Sequence, residues 1–515
     1  FQSHRRIFLQ EDNDLYDVAI IGFGLIGQIC AKVCSNYNLK TLVITEDGNQ
    51  SKKVDAFSID DDSARFFSLI GMFKDLEKHL NSPDYRDLIL SNKKVIQRNP
   101  ITNTRNGFSS LYTFIQSEIF NIFQKNCSNE ELIDSHEKCK LINFVNENNY
   151  TNLSFQKEKK VLSAKARYVI SCENDDGLLQ DKLKIKFSDF QYSKNWLIVD
   201  LLVSDKVKLE NVFRQICDPL RPISYISLSK QRYRFEFQLL TGEVHSEILD
   251  KETIKKLLSN WISTNEFEII NQEIYNFRGL CIDNFQYKNI FFLGNSAYQF
   301  PPYAGQILNT GIRDIINLTW KLNLVINYNC KSQILETFNV ERKNQVIETI
   351  KSSIALGQLI DSLSVAVERN IPFDEAIAPE AREQAFGSNK NVNDRINSGL
   401  YNSLFSDYFA GKRLERNSIN EKYGVLTLDD LTEMNFAILS LNKIDSKLDA
   451  QTIKILQSIN CKFLPNLSQN SLSIELDDII NYGDIIVRPD KKIFGVSSKD
   501  YNLNELSNDL IRQIF

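Results

Sequence analysis

The sequence predicts an α/β protein whose N-terminal part is wound around a parallel sheet. Three observations carry this. Residues 16–21, Tyr-Asp-Val-Ala-Ile-Ile, form a short apolar run suited to a strand buried on both faces. A glycine-spaced turn, Gly22-x-Gly24-x-x-Gly27, leads from it into a helical stretch reaching about Tyr37. A second apolar run, Thr41-Leu42-Val43-Ile44, closes the unit and ends at Glu46.

In that context the glycines have distinct jobs. Gly22 permits a tight turn, Gly24 lets the backbone approach a pyrophosphate, and Gly27 lets the helix pack close on the strand. The N–H groups of the first helical turn, which include Leu25 and Ile26, face the phosphates together with the positive end of the helix dipole. Glu46 is placed to accept hydrogen bonds from a ribose. The unit therefore predicts dinucleotide binding, and by itself leaves open whether the ligand is NAD or FAD.

The remaining chain sorts into further segments. Residues 60–135 read as mostly helical, with Phe108–Phe123 as one candidate helix. Residues 140–170 read as alternating strands. Strand-like runs recur at Trp196–Asp200 and Tyr233–Leu239, a helix-rich stretch covers 250–265, and Ile290–Leu293 is another buried strand. Long helices are expected from about 309 to 370. Residues 375–410 are polar and poorly periodic, as a linker would be, and the tail beyond has its own strand and helix signals ending at Asp484–Asp490. A chain of 515 residues exceeds one hydrophobic core, so several domains are expected.

Composition excludes several function classes. With 42% hydrophobic and 25% charged residues and a net charge of -5, nothing points to a nucleic-acid binder. Nine scattered cysteines without a CxxC pair suggest reduced thiols and a cytoplasmic setting, and four histidines lack zinc-site spacing, so no metal is expected. No stretch approaches eighteen uninterrupted apolar residues, and no secretory leader is visible, so no membrane partner is expected. Phe1-Gln2-Ser3 reads as the remnant of a cleaved tag.

A second long motif follows the strand at 290–293: Gly294-Asn295-Ser296-Ala297-Tyr298, then Pro301-Pro302-Tyr303-Ala304-Gly305-Gln306-Ile307-Leu308-Asn309-Thr310-Gly311-Ile312-Arg313-Asp314, then Asn317-Leu318-Thr319-Trp320-Lys321-Leu322. This resembles the second FAD segment of the para-hydroxybenzoate hydroxylase superfamily, the class A FAD-dependent aromatic monooxygenases. Ala56–Asp62, Cys217–Pro222 and Arg234–Phe237 are similar to segments of its 3-(3-hydroxyphenyl)propionate hydroxylase branch. Val487-Arg488-Pro489-Asp490 resembles that branch's thioredoxin-like C-terminal domain, here without redox cysteines.

The resemblance implies a glutathione-reductase-like Rossmann FAD-binding domain with an interleaved β-sheet substrate domain and a C-terminal thioredoxin-like domain. The parts would be residues 15–185 and 281–374 for FAD, 186–280 for the substrate sheet, 375–410 for a linker and 411–515 for the tail domain. It implies FAD as cofactor, NAD(P)H as co-substrate, O2, and a phenolic or polycyclic aromatic substrate hydroxylated through a flavin C4a-hydroperoxide. A homodimer is compatible with it. The cofactor residues it implies are those of the first turn with Glu46, then Gln116, Asn295, Pro302, Gly305, Gln306 and Asn309, the last beginning a helix that points at the flavin. Leu318, Trp320 and Leu322 read instead as a helix's buried face.

Several positions depart from the family pattern. Asp55 stands where an arginine neutralises the pyrophosphate, Asn295 where an aspartate is usual, Glu173-Asn174 in place of an Asp-Gly pair, Ile307 in place of a glycine and Tyr298 in place of a histidine. These leave open a flavin-binding or cofactor-free scaffold without hydroxylase activity, or a flavoenzyme with another outcome such as epoxidation, Baeyer–Villiger oxidation or dehydrogenation. On the substrate side Arg221, Tyr225 and Phe237 are the candidates, with Arg232 and Arg234 as further carboxylate partners. Aromatic residues alternating along Tyr233–Leu239 suit core equally well. No catalytic base is identifiable.

Overall fold

A computed structural model of the chain describes residues 15–46, 56–173, 177–263, 266–369, 371, 395–402, 408–416, 418–421, 424–467 and 474–515. The chain opens with β1 (Leu15–Ile21), α1 (Leu25–Asn36) and β2 (Thr41–Thr45), as the glycine turn predicts. It continues with β3 (Ser58–Asp60), α2 (Asp61–Leu69), β4 (Tyr85–Leu90), β5 (Val95–Pro100), β6 (Leu111–Phe114), α3 (Gln116–Ser128) and β7 (Ile133–Glu137). The mostly helical reading of 60–135 is thus corrected. Leu111–Phe114 is a strand, so the helix expected from Phe108 begins only at Gln116. The run's apolar residues serve two elements with different periods, and β5 is so exposed that it carries little apolar pattern.

Three strands follow, β8 (Cys139–Asn146), β9 (Thr151–Lys157) and β10 (Lys160–Ser171). Then come β11 (Phe187–Val203), β12 (Val212–Cys217), β13 (Ile223–Ser227), β14 (Arg232–Gln238), β15 (Phe267–Ile282) and β16 (Ile290–Phe292). Two long helices close the central part, α4 (Gln306–Asn327) and α5 (Thr337–Glu368). Because α4 starts at Gln306, Asn309 lies in its first turn instead of beginning it.

Five strands run parallel in the order β16-β10-β1-β2-β7, and β8 and β9 extend this sheet as an antiparallel branch from β10. A second sheet runs β15-β11-β14-β13-β12-β4-β5. Its pairs are antiparallel except β12 with β4. In the tail, β17 (Ala437–Leu439), α6 (Ala450–Ser458), β18 (Lys462–Leu464), α7 (Ile474–Tyr482), β19 (Ile485–Val487), β20 (Ile493–Val496) and α8 (Leu503–Ile514) form a four-stranded unit. Its order is β18-β17-β19-β20, with the first pair parallel and the others antiparallel, the thioredoxin-like arrangement. Most of the predicted linker, 375–394 and 403–407, lies outside the described residues.

One buried charge cluster ties the tail unit to α4 and α5. Arg488 donates to both Glu341 oxygens, at 3.0 and 2.7 Å, and Lys321 donates to Glu341 at 3.1 Å, with all three side chains fully buried. Burial opposes the Glu341 charge, but the two cations outweigh it and hold this carboxyl down at about 2. Burial pushes Lys321 down to about 8. Arg488 also lies over the Trp320 ring, 5.1 Å from its centroid. Glu341→Gln leaves Lys321 as a buried cation without its carboxylate. We expect a stability loss of about 3–5 kcal/mol, read as a lower urea midpoint with Trp320 fluorescence reporting the junction.

Candidate functional site

The first glycine turn separates into two packing positions and one open one. Gly22, at φ +95°, has no room for a side chain, since a Cβ would sit 2.8 Å from the Cys172 carbonyl. At Gly27 a Cβ would lie 2.2 Å from the Gly22 oxygen, which is the close helix–strand approach the spacing predicts. Gly24 caps α1 without any side-chain cap, and a Cβ there meets nothing within 4 Å. The mouth of α1 is therefore an open cradle lined by backbone. Leu25 is buried, and Ile26 is wedged between Gly294 and Gly311, so neither side chain reaches toward the cradle's open side. Glu46 follows β2 directly, half exposed, and pairs with Lys140 at 3.2 Å.

The second motif comes to the same end of the sheet. Gly294–Ser296 is a single 3₁₀ turn after β16, which sets Gly294 against Ile26 and leaves Asn295, next to it, partly exposed. Pro302 is buried, and Gly305 takes φ +60°, so the bend falls there and Ile307 sits in ordinary helical geometry. The β-branched residue at 307 therefore imposes no backbone penalty. A Cβ at Gly305 would approach the Ser58 Oγ to 2.1 Å, and that hydroxyl is buried with no protein partner. Asn309 is engaged by protein through both its amide oxygen and its amide nitrogen. Its Oδ1 accepts from Asp60 N–H at 3.0 Å and Ser63 Oγ at 2.7 Å, while its Nδ2 donates to the Gly305 carbonyl at 3.0 Å. It positions the loop against β3. Gln116 does similar work, its Oε1 accepting from Ala56 N–H at 3.0 Å, and Gln306 opens α4. Tyr298, where the family has histidine, donates its hydroxyl to Asp314 at 2.5 Å.

The second sheet presents one face to this loop. Trp196 and Ile198 pack with Tyr303, whose ring meets Trp196 edge-on at 5.8 Å and whose hydroxyl is 3.3 Å from that of Tyr192. Gly357 of α5 leaves room for the Tyr303 ring, which a Cβ would strike at 2.4 Å. On the same face, Arg234 pairs with Asp200 at 2.8 Å and lies over the Phe57 ring, 5.5 Å from its centroid. Phe57 in turn touches Phe213 edge-on at 5.7 Å. Glu236, two residues beyond Arg234 and opposite Ser224, is also buried. Burial pushes its carboxyl up to about 7, although Arg234 and Ser224 favour the charged form.

The predicted substrate residues sit elsewhere. Tyr225 and Phe237 belong to the core on the opposite face of the sheet, where Tyr225 stacks on Tyr233 and donates to the Glu210 carbonyl. Arg221 is held by Glu243 and by the Gln238 carbonyl at 2.9 Å. The structure does not bring these three to the loop. Asp55 and Asn174 lie outside the described residues. The residues that sequence reasoning passed over are Phe57, Ser58, Asp200 and Glu236. Charged residues at alternate positions in apolar strands were the available signal for the last two.

Two outcomes follow from this geometry. Gly24→Ala places a methyl in the open cradle without touching protein, so the variant should fold normally and lose most of its FAD uptake in a fluorescence-quenching titration. Gly27→Ala should instead fail to fold. For Glu236, the folded carboxyl keeps its proton to about 7 against an ordinary 4.5. The folded state is thus favoured at low pH and loses stability as pH rises through that window, by about 3 kcal/mol at most. Chemical unfolding at pH 5 and pH 8 should show this slope in wild type and not in Glu236→Gln.

FAD fits these features. The open backbone cradle at Gly24 suits a pyrophosphate, and the orphaned Ser58 hydroxyl beside Gly305 suits a hydrogen-bonding ring edge. Comparisons with known proteins agree. The family described as "FAD binding domain" matches residues 15–353. A probable NADH-specific resorcinol 4-hydroxylase of Rhodococcus jostii is 24% identical over 365 residues, 69% of this chain and 68% of that one. A 3-(3-hydroxy-phenyl)propionate/3-hydroxycinnamic acid hydroxylase of Escherichia coli is 24% identical over 352 residues, covering 68% of this chain and 63% of that one. The flavin-dependent monooxygenase PieE, solved with FAD and substrate, shares the fold with a TM-score of 0.81 at 13% identity, over 98% of this chain and 99% of that one. With the family matched over residues 15–353, this chain belongs to the FAD-binding-domain family of flavoproteins.

Proposed function

We propose that the chain is a flavin-dependent monooxygenase that hydroxylates a phenolic or polycyclic aromatic compound, using NADH or NADPH as reductant. The observation that carries this reading is the convergence of the Gly24 cradle, the Asn295 turn and the Pro302–Asn309 loop at one end of the parallel sheet, facing an aromatic wall. Its support from known proteins is the aromatic hydroxylases among its relatives.

Bound FAD supplies the redox chemistry, accepting two electrons from the nicotinamide and activating O2. The chain's own residues do the rest. The α1 backbone at Gly24 would hold the pyrophosphate, and Glu46 at the end of β2 would take the ribose. The first turn of α4 would offer its free N–H groups and the positive end of the helix to the ring of a bound flavin. Trp196, Tyr303, Phe57 and Phe213 supply the apolar surface that excludes water from a bound aromatic ring. We assign the substrate side of the site to this face of the sheet.

Localisation follows the same reading. No helix among the described residues is long and apolar enough to cross a membrane, and all nine cysteines are free thiols, as a cytoplasmic enzyme would have. The purified protein should be yellow, or become so with FAD. With a phenol panel and NADH or NADPH it should consume O2 and release a product heavier by one oxygen, detected by mass spectrometry after 18O2 labelling. FAD-loaded protein that leaves every phenol unchanged would overturn the hydroxylase reading.

A further inference from the structure

A cavity of about 70 Å³ lies where α2, α4 and α5 meet the tail unit. A single water needs about 10–15 Å³ of such space, so there is room for a molecule of several heavy atoms. Its walls include Arg65 from α2, Arg313 from α4, Arg342 from α5, Arg413, and Lys491 from the turn between β19 and β20.

Three of these cations are spent on protein. Arg65 grips Asp429 through two bonds of 2.7 Å, Arg342 donates to Asp314 at 2.7 Å, and Arg413 pairs with Asp62. Asp490, a carboxylate of the same wall, is shared by Arg488 at 2.5 Å and Asn317 at 3.4 Å.

Arg313 and Lys491 are not matched in this way. Arg313 gives its Nη2 to Asp60 at 2.5 Å, but its Nε and Nη1 are buried and meet no hydrogen-bond partner among the described residues. Lys491 is 5% exposed and donates to neutral oxygens, the Thr432 hydroxyl at 2.7 Å and the Glu433 carbonyl. Burial pushes Lys491 down to about 8, although Asp429 favours its charge. The surroundings are electropositive. Burial opposes the Asp62 charge, yet Arg413 and Arg313 outweigh it and hold that carboxyl well below its usual range. Buried donors of this kind cost stability until an acceptor meets them, and an anion meets them best.

We propose that this cavity binds a tetrahedral oxyanion of the phosphate or sulfate class, held by Arg313 on one side and Lys491 on the other. The ion ties α4 to the tail unit through charge-assisted bonds and makes the stability of that junction depend on oxyanion concentration. The site is separate from the flavin site, since none of Gly24, Gly305, Gln306 and Asn309 lines it. It is also independent of the hydroxylase reading.

The test uses FAD-loaded protein, so that the phosphate cradle at Gly24 is already filled. Calorimetric titration with inorganic phosphate and with sulfate, in chloride buffer of matched ionic strength, should show one saturable site per chain. Lys491→Met should weaken that site by about ten-fold or more. Arg313→Lys, which keeps a cation for Asp60 and loses the two unpartnered donors, should weaken it as well. Low millimolar phosphate should raise the urea midpoint seen by Trp320 fluorescence in wild type and leave it unchanged in Lys491→Met. FAD content and circular dichroism serve as fold controls. The absence of saturable binding in wild type would mean that water alone occupies the cavity, and overturns the proposal. Binding that survives both substitutions places the ion elsewhere and overturns it too. So does acetate binding as tightly as phosphate, the mark of an unselective cationic patch.

Discussion

The contact on which the site depends is the crossing of α1 and α4. Ile26 fills the space that Gly294 and Gly311 leave open, and a Cβ at Gly311 would lie 2.4 Å from its Cδ1. Closely packed interiors do not stretch to absorb such a clash, so a side chain there would force the helices apart. That one wedge sets the distance between the phosphate cradle at Gly24 and the loop at Gly305, which are some 280 residues apart in the chain. A two-segment cofactor site needs such a fixed spacer.

A second layer of charge keeps that crossing in register. The motif around Arg313–Lys321 reads as part of a cofactor signature, yet its side chains are mostly spent on protein. Arg313 reaches Asp60 at the start of α2, Asp314 accepts from Arg342 at 2.7 Å and from Tyr298, and Lys321 joins Glu341 and Arg488. Buried ion pairs contribute little net stability, because desolvation offsets their attraction, but a mispaired one is costly. They therefore suit the task of fixing which turn of α4 faces which partner. The tail unit is attached through this network, with Arg488 as its anchor, which explains a charged residue fully buried just after a short strand.

The readable parts of the sequence were those where one residue type has one physical use. Glycines at 22, 24 and 27 announced the turn, and the structure gives Gly22 and Gly27 the tight turn and close packing predicted while Gly24 stands open at the mouth of α1. Apolar runs at 16–21, 41–44 and 290–293 announced strands buried on both faces. The second sheet was harder. Both of its faces are covered, so Tyr225 and Phe237 carry the same signature as Trp196 and Ile198, though they lie on opposite sides. Alternation tells which residues share a face and is silent on which face meets the site. Between 60 and 135 the strands are short and β5 is exposed, which removes the periodic signal. Phe57 and Ser58 escaped because their importance arises from a contact with Gly305, far away in sequence.

The departures from the family pattern take on a physical order in this light. Ile307 replaces a glycine, but the left-handed bend is made at Gly305, which remains glycine because Ser58 leaves it no alternative. Tyr298 replaces a histidine and donates its hydroxyl to the buried Asp314, so the new side chain is satisfied where it stands. Asn295 loses a negative charge and keeps its capacity to donate and accept. Ile307 and Tyr298 both leave the backbone path as it is and alter only a side chain. The positions where no group can substitute are those where backbone meets backbone, at Gly22 and Gly27, and Gly24 keeps the mouth of α1 open. All three are unchanged. A flavin site held chiefly by main-chain geometry can tolerate drift in its polar side chains, because hydrogen bonds from a fixed backbone need no side-chain identity to persist.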